Sequence, residues 1–173
     1  MENPDKTFRW YAVFVRGMYE KNARRYVESR NIVSYLPLER KLHYWSDRKK
    51  WIETPLFPNY LFVHVDNQKY YQVLQHSSIL KYVCSGGRPV PIPEYQINAI
   101  KSVLTSGLEH FVSNNLFNRG DMIRIQDGPL KSQEGEVVSY SGKRRLLIRL
   151  DQIGYSLLVN HSARSIVHVN VNS

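Results

Sequence analysis

The chain has 173 residues, of which 42% are hydrophobic, and its 24 lysines and arginines outnumber its 15 aspartates and glutamates to give a net charge of +9. This composition predicts one or two folded domains and excludes a disordered chain. No apolar run reaches the ~18 residues of a membrane span, and residues 1–6 lack the apolar segment of a secretory signal.

The single cysteine, Cys84, excludes an internal disulfide and suits a reducing compartment, so we expect a cytoplasmic protein. Cys84 itself is expected to be a small core residue, with a reactive thiol as the weaker alternative. The positive charge is uneven: residues 1–108 hold 16 basic and 9 acidic residues, and residues 109–173 hold 8 and 6. A basic first part indicates a polyanionic partner such as nucleic acid, although many proteins carry such charge only for solubility.

The first 108 residues predict strands and helices in the order strand, helix, two or three strands, helix, strand, helix. The elements are a frayed tail at 1–8, a strand at 10–15, a helix at 19–31, extended segments at 33–42 and 50–55 around a turn at 46–48, a strand at 59–65, a helix from a cap at Asp66 to His76, a strand at 79–84, and a helix from Pro93 to a stop at Gly107. In the first helix, Ala23 and Val27 are predicted to face inward, with Tyr19 or Tyr26 beside them, and Asn22 and Arg30 are predicted to face outward. This order fits an α+β fold, with a βαββαβ-type antiparallel sheet, helices on one side and one face left open.

The remaining residues predict a linker and a small β domain. Residues 109–118 lack periodicity and carry three asparagines, which indicates a linker. Residues 119–173 alternate apolar and polar positions, as in Ile123 and Ile125 against Met122 and Arg124. Five short strands separated by glycine-containing turns predict an SH3-like barrel. The predicted domains are therefore 1–108 and 119–173.

Four segments resemble, in the same order, the motifs of the NusG family of transcription elongation factors. They are Trp10-Tyr11-Ala12-Val13-Phe14-Val15, the segment 54–65 with Leu56-Phe57-Pro58-Asn59-Tyr60, the turn Gly86-Gly87-Arg88-Pro89, and Gly120-Asp121 with Asp127-Gly128-Pro129-Leu130, which resembles the KOW motif. Asn59 stands where general NusG proteins usually carry Gly and RfaH-like proteins carry Asn. The resemblance therefore favours the specialised RfaH-like branch, and within it the UpxY-type regulators of single polysaccharide operons.

The resemblance implies a monomeric transcription elongation and antitermination factor, with an N-terminal NGN domain that binds RNA polymerase and a C-terminal KOW domain. Such a factor suppresses pausing or termination without a cofactor. In agreement, the sequence has no HExxH, CxxC, glycine-rich phosphate loop or Gly-x-Ser-x-Gly elbow, so no catalytic or metal-binding residue is assigned. Two other classes stay open: a ribosome-associated or other RNA-binding KOW protein, and a basic enzyme with an unrecognised site.

The aromatic segment around residue 60 is the first candidate site. From the residues alone, Phe57 and Phe62 fit an ordinary core as well as a binding face. By resemblance, this face receives the clamp helices of the largest polymerase subunit, and the segment 70–72 stands where RfaH-like proteins touch the polymerase gate loop. Inward packing of Tyr70 or Tyr71 is the alternative. The residues assigned to polymerase binding are Phe14, Phe57, Pro58, Tyr60 and Phe62, with Ile97 and Ile100 at the rim, and Tyr70, Tyr71 and Gln72.

Two basic surfaces are candidates for nucleic acid. Arg and Tyr side chains along the first helix can bind phosphates and stack on unpaired bases, and by resemblance this surface binds the non-template DNA strand. The alternative is a solvated helix face with Glu20 and Glu28 offsetting charge. The segment 40–51 interleaves five basic residues with three aromatics, which suits duplex DNA beside the transcription bubble, or a mobile hairpin in which Trp45 and Trp51 pair. The assigned residues are Arg16, Tyr19, Asn22, Arg25, Tyr26, Arg30, Arg40, Lys41, Arg48, Lys49 and Lys50.

The KOW-like loop is the last candidate. Gly128 supplies a turn, and Leu130 is expected at the exposed tip. By resemblance, Gly128, Pro129 and Leu130 contact ribosomal protein S10 or termination factor Rho, although Leu130 replaces the usual Phe. In RfaH the C-terminal domain can also fold as a helical hairpin on the N-terminal domain, whereas the β-branched alternation here favours the barrel.

Overall fold

The computed structural model describes residues 7–45, 47–115, 118, 120–140, 143–160 and 166–168, so most of the predicted tail at 1–8 lies outside the described residues. The chain forms two compact units, residues 1–92 and 93–173. The described ranges contain three α-helices, and none of them has the length and apolar character that a bilayer crossing requires.

The first unit is built on an antiparallel sheet. Its elements in chain order are β1 (Arg9–Val15), α1 (Glu20–Ser29), β2 (Val33–Tyr35), β3 (Leu38–Tyr44), β4 (Lys49–Pro55), β5 (Tyr60–Val65), α2 (Asn67–Val73), β6 (Ile79–Tyr82), β7 (Cys84–Ser85), β8 (Arg88–Pro89) and β9 (Pro91–Ile92). Strands β2, β5, β1 and β6 are neighbours in that order, and β9 also pairs with β1. The pairs β3–β4 and β7–β8 form separate two-stranded sheets. The predicted order is confirmed in outline, with the short strands β7, β8 and β9 added.

One face of this sheet covers the core of the first unit. Strand alternation puts Val13 and Val15 of β1 on the same side as Leu61 of β5. They pack with Ala23 and Val27, the two residues predicted to face inward from α1. Each aliphatic side chain of this size that is fully buried contributes about 1.5–3 kcal/mol. The core therefore fixes α1 across the sheet and leaves the opposite side of this helix in solvent.

The helix α2 begins at the predicted cap. The Asp66 side chain accepts hydrogen bonds from the backbone N–H groups of Gln68, at 3.1 Å, and Lys69, at 2.9 Å. These bonds satisfy two donors that the first turn of a helix leaves without an intrahelical partner. The helix ends at Val73, whereas the sequence predicted that it continues to His76.

The second unit combines one helix with a larger sheet. Its elements are α3 (Glu94–Ser106), β10 (His110–Ser113), β11 (Asp121–Ile125), β12 (Glu134–Tyr140), β13 (Lys143–Leu150), a 3-10 turn at Asp151–Ile153, β14 (Tyr155–Val159) and β15 (Ile166–His168). The sheet order is β10-β14-β13-β12-β11-β15, and α3 contacts β12 and β13. The five strands predicted after residue 119 are present as β11 to β15. Because β10 and β15 end the sheet, a closed barrel is not shown.

The segment between the two predicted domains is partly regular. Residues 110–113, which the sequence analysis placed in a linker, form β10 and pair with β14. Phe111 lies opposite Leu158 and packs against it together with Val138 and Leu147. The division of the chain also assigns α3 to the second unit, whereas the predicted boundary lies at residue 108. The domain limits 1–108, 109–118 and 119–173 therefore stay a prediction.

Candidate functional site

Aromatic side chains of β1 and β5 come together on one face of the first sheet. In the antiparallel register, Phe14 lies opposite Tyr60 and Ala12 opposite Phe62, so these side chains share a face. The Phe14 and Tyr60 rings meet edge to face with their centroids 5.5 Å apart, and Phe57 meets Phe62 in the same way at 6.1 Å. Aromatic pairs of this geometry contribute about 0.5–1.5 kcal/mol beyond the area they bury.

This face is only partly open, and the alternative of an ordinary core holds for Phe57 and Phe62. Phe57 is 1% and Phe62 0% exposed, and the Phe62 ring also lies along the Tyr35 ring. Burial raises the pKa of Tyr35 to about 12. By contrast, Phe14 and Tyr60 keep part of their surface in solvent. These two side chains are therefore the part of the row that a partner can reach.

Ile97 and Ile100 lie on α3 and are fully buried. They were predicted at the rim of an open depression, and their burial corrects that prediction. Together with Val103 they recur at a spacing of three residues, which places them on one side of the helix. Their burial makes them structural residues in this conformation.

The turn that precedes β5 holds Tyr60 in place. Asn59 has a φ of 69°, in the left-handed region that Gly and Asn adopt most readily. Its backbone N–H donates to Glu20 Oε1 at 3.0 Å, and its carbonyl accepts from the Val15 N–H at 2.7 Å. Pro58, the other residue of this turn assigned to polymerase binding, is exposed.

Glu20 is 6% exposed, so it does not offset charge on a solvated helix face, and the alternative of such a face does not hold for this residue. A carboxylate in the first turn of a helix was visible in the sequence, but its partner, Asn59, lies 39 residues away. Only the fold could reveal this contact.

A groove in the first unit joins residues that were predicted as separate contacts. Phe14, Tyr60 and Tyr70 line the same concavity of about 550 Å³, together with Leu74 and Leu80. Leu80 is 51% exposed. The lining is therefore mostly aromatic and aliphatic, as it is in grooves that receive an amphipathic helix.

The two tyrosines of the segment 70–72 differ, so the alternative of inward packing holds for one of them. The Tyr70 ring is half-buried and stacks on Tyr82 with centroids 4.0 Å apart, whereas Tyr71 is 72% exposed. Burial, with Cys84 and Tyr71 nearby, raises the pKa of Tyr70, so its phenol stays protonated and can donate a hydrogen bond. The backbone carbonyl of Gln72 accepts from the Tyr26 hydroxyl at 3.3 Å.

Cys84 lines the same groove and is exposed, so the prediction that it is a core residue is wrong. The chain turns out of the sheet after β6, and Cys84 opens the short β7–β8 hairpin. Gly86 and Gly87, with φ values of 56° and 77°, form its turn, which glycines adopt without strain. The apolar run of 79–84 alone did not show where the sheet ends.

The outer side of α1 carries the first basic surface. Asn22 and Arg25 of α1 are exposed, as are Arg16 before the helix and Arg30 at its end, and Asn22 and Arg30 confirm the predicted outward orientation. Tyr19, just before the helix, is 45% exposed. The first basic surface therefore combines four solvent-exposed polar or charged side chains with one accessible aromatic ring.

Two contacts on α1 limit this basic surface. The Tyr26 ring is half-buried, with the Arg30 guanidinium 5.3 Å from its centroid. Arg24 is paired with Glu28 at 2.8 Å along the helix, which supports the solvated-face alternative for that part of α1.

The hairpin of β3 and β4 carries the second basic surface. Its register places Leu42 opposite Trp51 and Tyr44 opposite Lys49, so the cross-strand pair of Trp45 with Trp51 is not formed. Instead, a cation lies over each ring: Arg40 over Trp51 at 5.8 Å, Arg48 over Trp45 at 5.8 Å, and Lys49 over Tyr44 at 5.1 Å. The predicted arms at 33–42 and 50–55 are confirmed as strands, but β2 and β3 divide the first arm.

The loop at 127–130 has a different tip from the one predicted. Gly128 has a φ of 80° and supplies the predicted turn, with its N–H donating to Asp127 Oδ1 at 2.7 Å. Leu130, expected in solvent, is 0% exposed. Gly128 and Pro129 are the exposed residues of the assigned set, and Leu130 anchors the loop.

A buried ion pair in the second unit escaped the sequence analysis. Arg149 Nε donates to Glu136 Oε1 at 2.8 Å and Nη2 donates to Oε2 at 2.9 Å, with side-chain exposures of 12% and 7%. The Gly120 N–H also donates to Glu136, at 3.0 Å. The hydrogen bond to Glu136 raises the pKa of Arg149. Charged residues within alternating strands gave no signal that distinguished this pair from an exposed one.

Within the described ranges, no three His, Cys, Asp or Glu side chains are arranged to hold a metal ion. The apolar groove and the two basic surfaces suit the binding of a macromolecule.

Comparison with known proteins agrees with this assessment. The family model described as "Transcription termination factor nusG" matches residues 8–101. A NusG protein of Staphylococcus epidermidis, named a transcription termination/antitermination protein, is 27% identical over 161 residues, which cover 84% of this chain and 87% of the relative. Its counterpart in Xylella fastidiosa is 26% identical, over 79% of this chain and 86% of the relative.

A solved structure supports the same fold. The structure titled "Domain interaction in Thermotoga maritima NusG" matches with a TM-score of 0.51 and 19% identity, covering 94% of this chain and 98% of that one. At this identity the likeness concerns the fold alone, and the family model supplies the assignment. The chain therefore belongs to the NusG family and is a NusG-like transcription termination/antitermination factor.

Proposed function

We propose that this chain is an operon-specific member of the NusG family that binds RNA polymerase and suppresses pausing or termination. The observation that carries the proposal is the groove in which Phe14, Tyr60 and Tyr70 meet. Phe14 lies on β1, Tyr60 on β5 and Tyr70 on α2. Phe14 and Tyr60 were assigned to the clamp helices and Tyr70 to the gate loop. Their convergence on one concavity supports a single contact surface.

The proposed occupant of the groove is the pair of clamp helices of the largest polymerase subunit. An amphipathic helix can lay its apolar side against Phe14, Tyr60 and Leu80, which keep surface in solvent. The exposed Tyr71 and the half-buried Gln72 of α2 follow Tyr70 directly and are proposed to reach the gate loop. Phe57 and Phe62 act indirectly, because their buried side chains support the sheet face that carries Phe14 and Tyr60. Ile97 and Ile100 are buried on α3 and are not proposed as direct contacts.

The first basic surface is proposed to bind the non-template DNA strand. Arg16, Arg25 and Arg30 can neutralise phosphates, and Tyr19 offers a ring face to an unpaired base. Asn59 supports the operon-specific assignment, since RfaH-like proteins carry Asn where general NusG proteins usually carry Gly. Its left-handed φ suits either residue, so the choice of Asn is not forced by the backbone. A polysaccharide operon is the proposed target.

The mechanism needs no covalent step. A factor that binds the elongating polymerase more tightly than the paused polymerase shifts the population toward elongation by that difference in binding free energy. The second unit is proposed to contact ribosomal protein S10 or Rho through Gly128 and Pro129, which the anchoring side chain of Leu130 holds in place. The proposed site of action is the cytoplasm.

Tyr60→Ala is expected to weaken RNA polymerase binding by about 30-fold, since aromatic residues at the centre of an interface contribute about 2 kcal/mol or more. The measurement is retention of purified polymerase by the tagged protein at several protein concentrations. Phe8→Ala is the matched control, because Phe8 is also partly exposed, at 46%, and lies next to the opposite end of β1.

Circular dichroism of both variants verifies that the fold is kept. Retention of polymerase by folded Tyr60→Ala at the wild-type level would refute the groove as the contact. Binding of RNA without any retention of polymerase by the wild type would favour the RNA-binding alternative.

A further inference from the structure

The hairpin of β3 and β4 displays three large aromatic side chains to solvent. Tyr44 is 67%, Trp45 44% and Trp51 58% exposed. The two strands pair with each other and form a sheet of their own. A hairpin of this kind is marginally stable in water, and exposed indole rings keep apolar surface in contact with solvent. Their exposure therefore needs a reason other than packing.

Each of these rings is accompanied by a cation, as described above for Arg40, Arg48 and Lys49. A cation beside a ring stabilises the arrangement by about 0.5–1 kcal/mol at an exposed site, which limits the motion of the ring. It also places a phosphate-binding group next to each potential stacking surface. Proteins that bind single-stranded nucleic acid stack its bases on aromatic rings and bind the neighbouring phosphates with cationic side chains.

An intact duplex offers no base face to these rings. In a duplex the base faces are covered by their neighbours, and a protein reaches only groove edges and phosphates. Lysine and arginine alone would be sufficient for phosphates. We infer that the hairpin binds single-stranded nucleic acid, with unpaired bases stacked on Trp45 and Trp51. The inference rests on the proposed function, because it takes nucleic acid as the partner of this hairpin. It differs from the prediction from the sequence in that the ligand is an unpaired strand and not duplex DNA.

The space for such a strand is present beside the hairpin. Trp45 and Trp51 line a concavity of about 510 Å³, which Lys21 of α1, Arg48 and Lys50 also border. This volume lies within the range of about 300–1,000 Å³ that small-ligand sites occupy. An ion pair of Lys21 with Glu53 at 3.7 Å links the concavity to α1. The strand can therefore continue from the hairpin toward the first basic surface.

The experiment measures binding of the full chain to labelled oligonucleotides by fluorescence anisotropy. The probes are an oligo(dT) and an oligo(U) of about 12 nucleotides, a length within the range of single-strand sites, and a duplex of the same length. The wild type is expected to bind at least one single strand more tightly than the duplex. The tighter of the two single strands identifies the source as DNA or RNA, because they differ chiefly in the 2′-hydroxyl.

Trp45→Ala and Trp51→Ala are each expected to weaken single-strand binding by about tenfold and to leave duplex binding unchanged. Lys50→Gln is expected to weaken both, because it removes a phosphate contact. Phe8→Ala is the matched control, since Phe8 is a partly exposed ring with the Lys69 ammonium 5.8 Å from its centroid, outside the hairpin. Trp51→Phe keeps a stacking surface and is expected to retain most of the affinity.

Intrinsic tryptophan emission gives an independent measure of stacking. The chain has three tryptophans, and Trp10 is 6% exposed and stacked on His64. Quenching of the emission by a single strand therefore reports on Trp45 and Trp51, and it is expected to fall in each alanine variant. Three results would overturn the inference. The wild type could bind the duplex more tightly than either single strand, or the tryptophan-to-alanine variants could lose duplex and single-strand affinity equally. Both alanine variants could also bind single strands with the affinity of the wild type. None of these measurements contains polymerase, so the result is independent of the groove experiment.

Discussion

Arg149→Ala is expected to lower the free energy of unfolding by about 3–5 kcal/mol, because it leaves a buried carboxylate without its guanidinium. Glu136 is 5% exposed and accepts two hydrogen bonds from Arg149. The Gly120 N–H still donates to it, but one neutral donor does not replace the charge. Urea denaturation followed by far-UV circular dichroism measures the change through the midpoint of unfolding.

A control for this variant lies in the same sheet. Arg124 pairs with Glu134 across β11 and β12, but the Arg124 side chain is 57% exposed. Surface pairs contribute about 0–1 kcal/mol, so Arg124→Ala is expected to change stability little. If the two alanine variants had the same stability, the buried pair would not be a stabilising contact of the folded state.

Phe62→Ala is expected to destabilise the protein by about 3–5 kcal/mol, since it removes a fully buried ring and leaves a cavity. The Phe57 and Tyr35 rings would also lose their contacts with it. Tyr60→Ala, two residues away on the same face, is expected to cost less because Tyr60 is only partly buried. Urea denaturation of both variants shows which of the two loses more free energy of unfolding.

The comparison of Phe62 with Tyr60 separates folding from binding. A loss of polymerase binding in Phe62→Ala would report a damaged fold, whereas a loss in folded Tyr60→Ala would report a contact. A typical point substitution changes the free energy of unfolding by about 1 kcal/mol. If Phe62→Ala lowered it by no more than that, the assignment of Phe62 to the core would be contradicted.

The elements that depend on local pattern were predictable from the sequence. The spacing of Ala23 and Val27 located the inner side of α1, and Asp66 located the start of α2. Alternation placed Ile123 and Ile125 on the buried side of β11, where both are 1% exposed. These signals succeed because side-chain direction follows from the period of a helix or strand.

The errors concern features that depend on tertiary packing. A strand that is apolar on both faces does not show which face is covered, and so the sequence left Phe62 open between the core and a binding face. The predicted turn at Gly128 was right, but the direction of Leu130 depends on packing within the second unit. The contact of Glu20 with the Asn59 N–H and the pair of Glu136 with Arg149 join residues distant in sequence. Such contacts are set by topology, which a single sequence indicates only indirectly.

Cys84 provides a single site for covalent labelling at the groove. It is the single cysteine of the chain, it is exposed, and it lies on the wall of the groove that holds Phe14 and Tyr60. A thiol-reactive fluorophore therefore attaches at one known position, without replacement of any other residue. Because the dye sits at the edge of the surface that a partner would cover, its emission follows occupancy of the groove directly and at equilibrium.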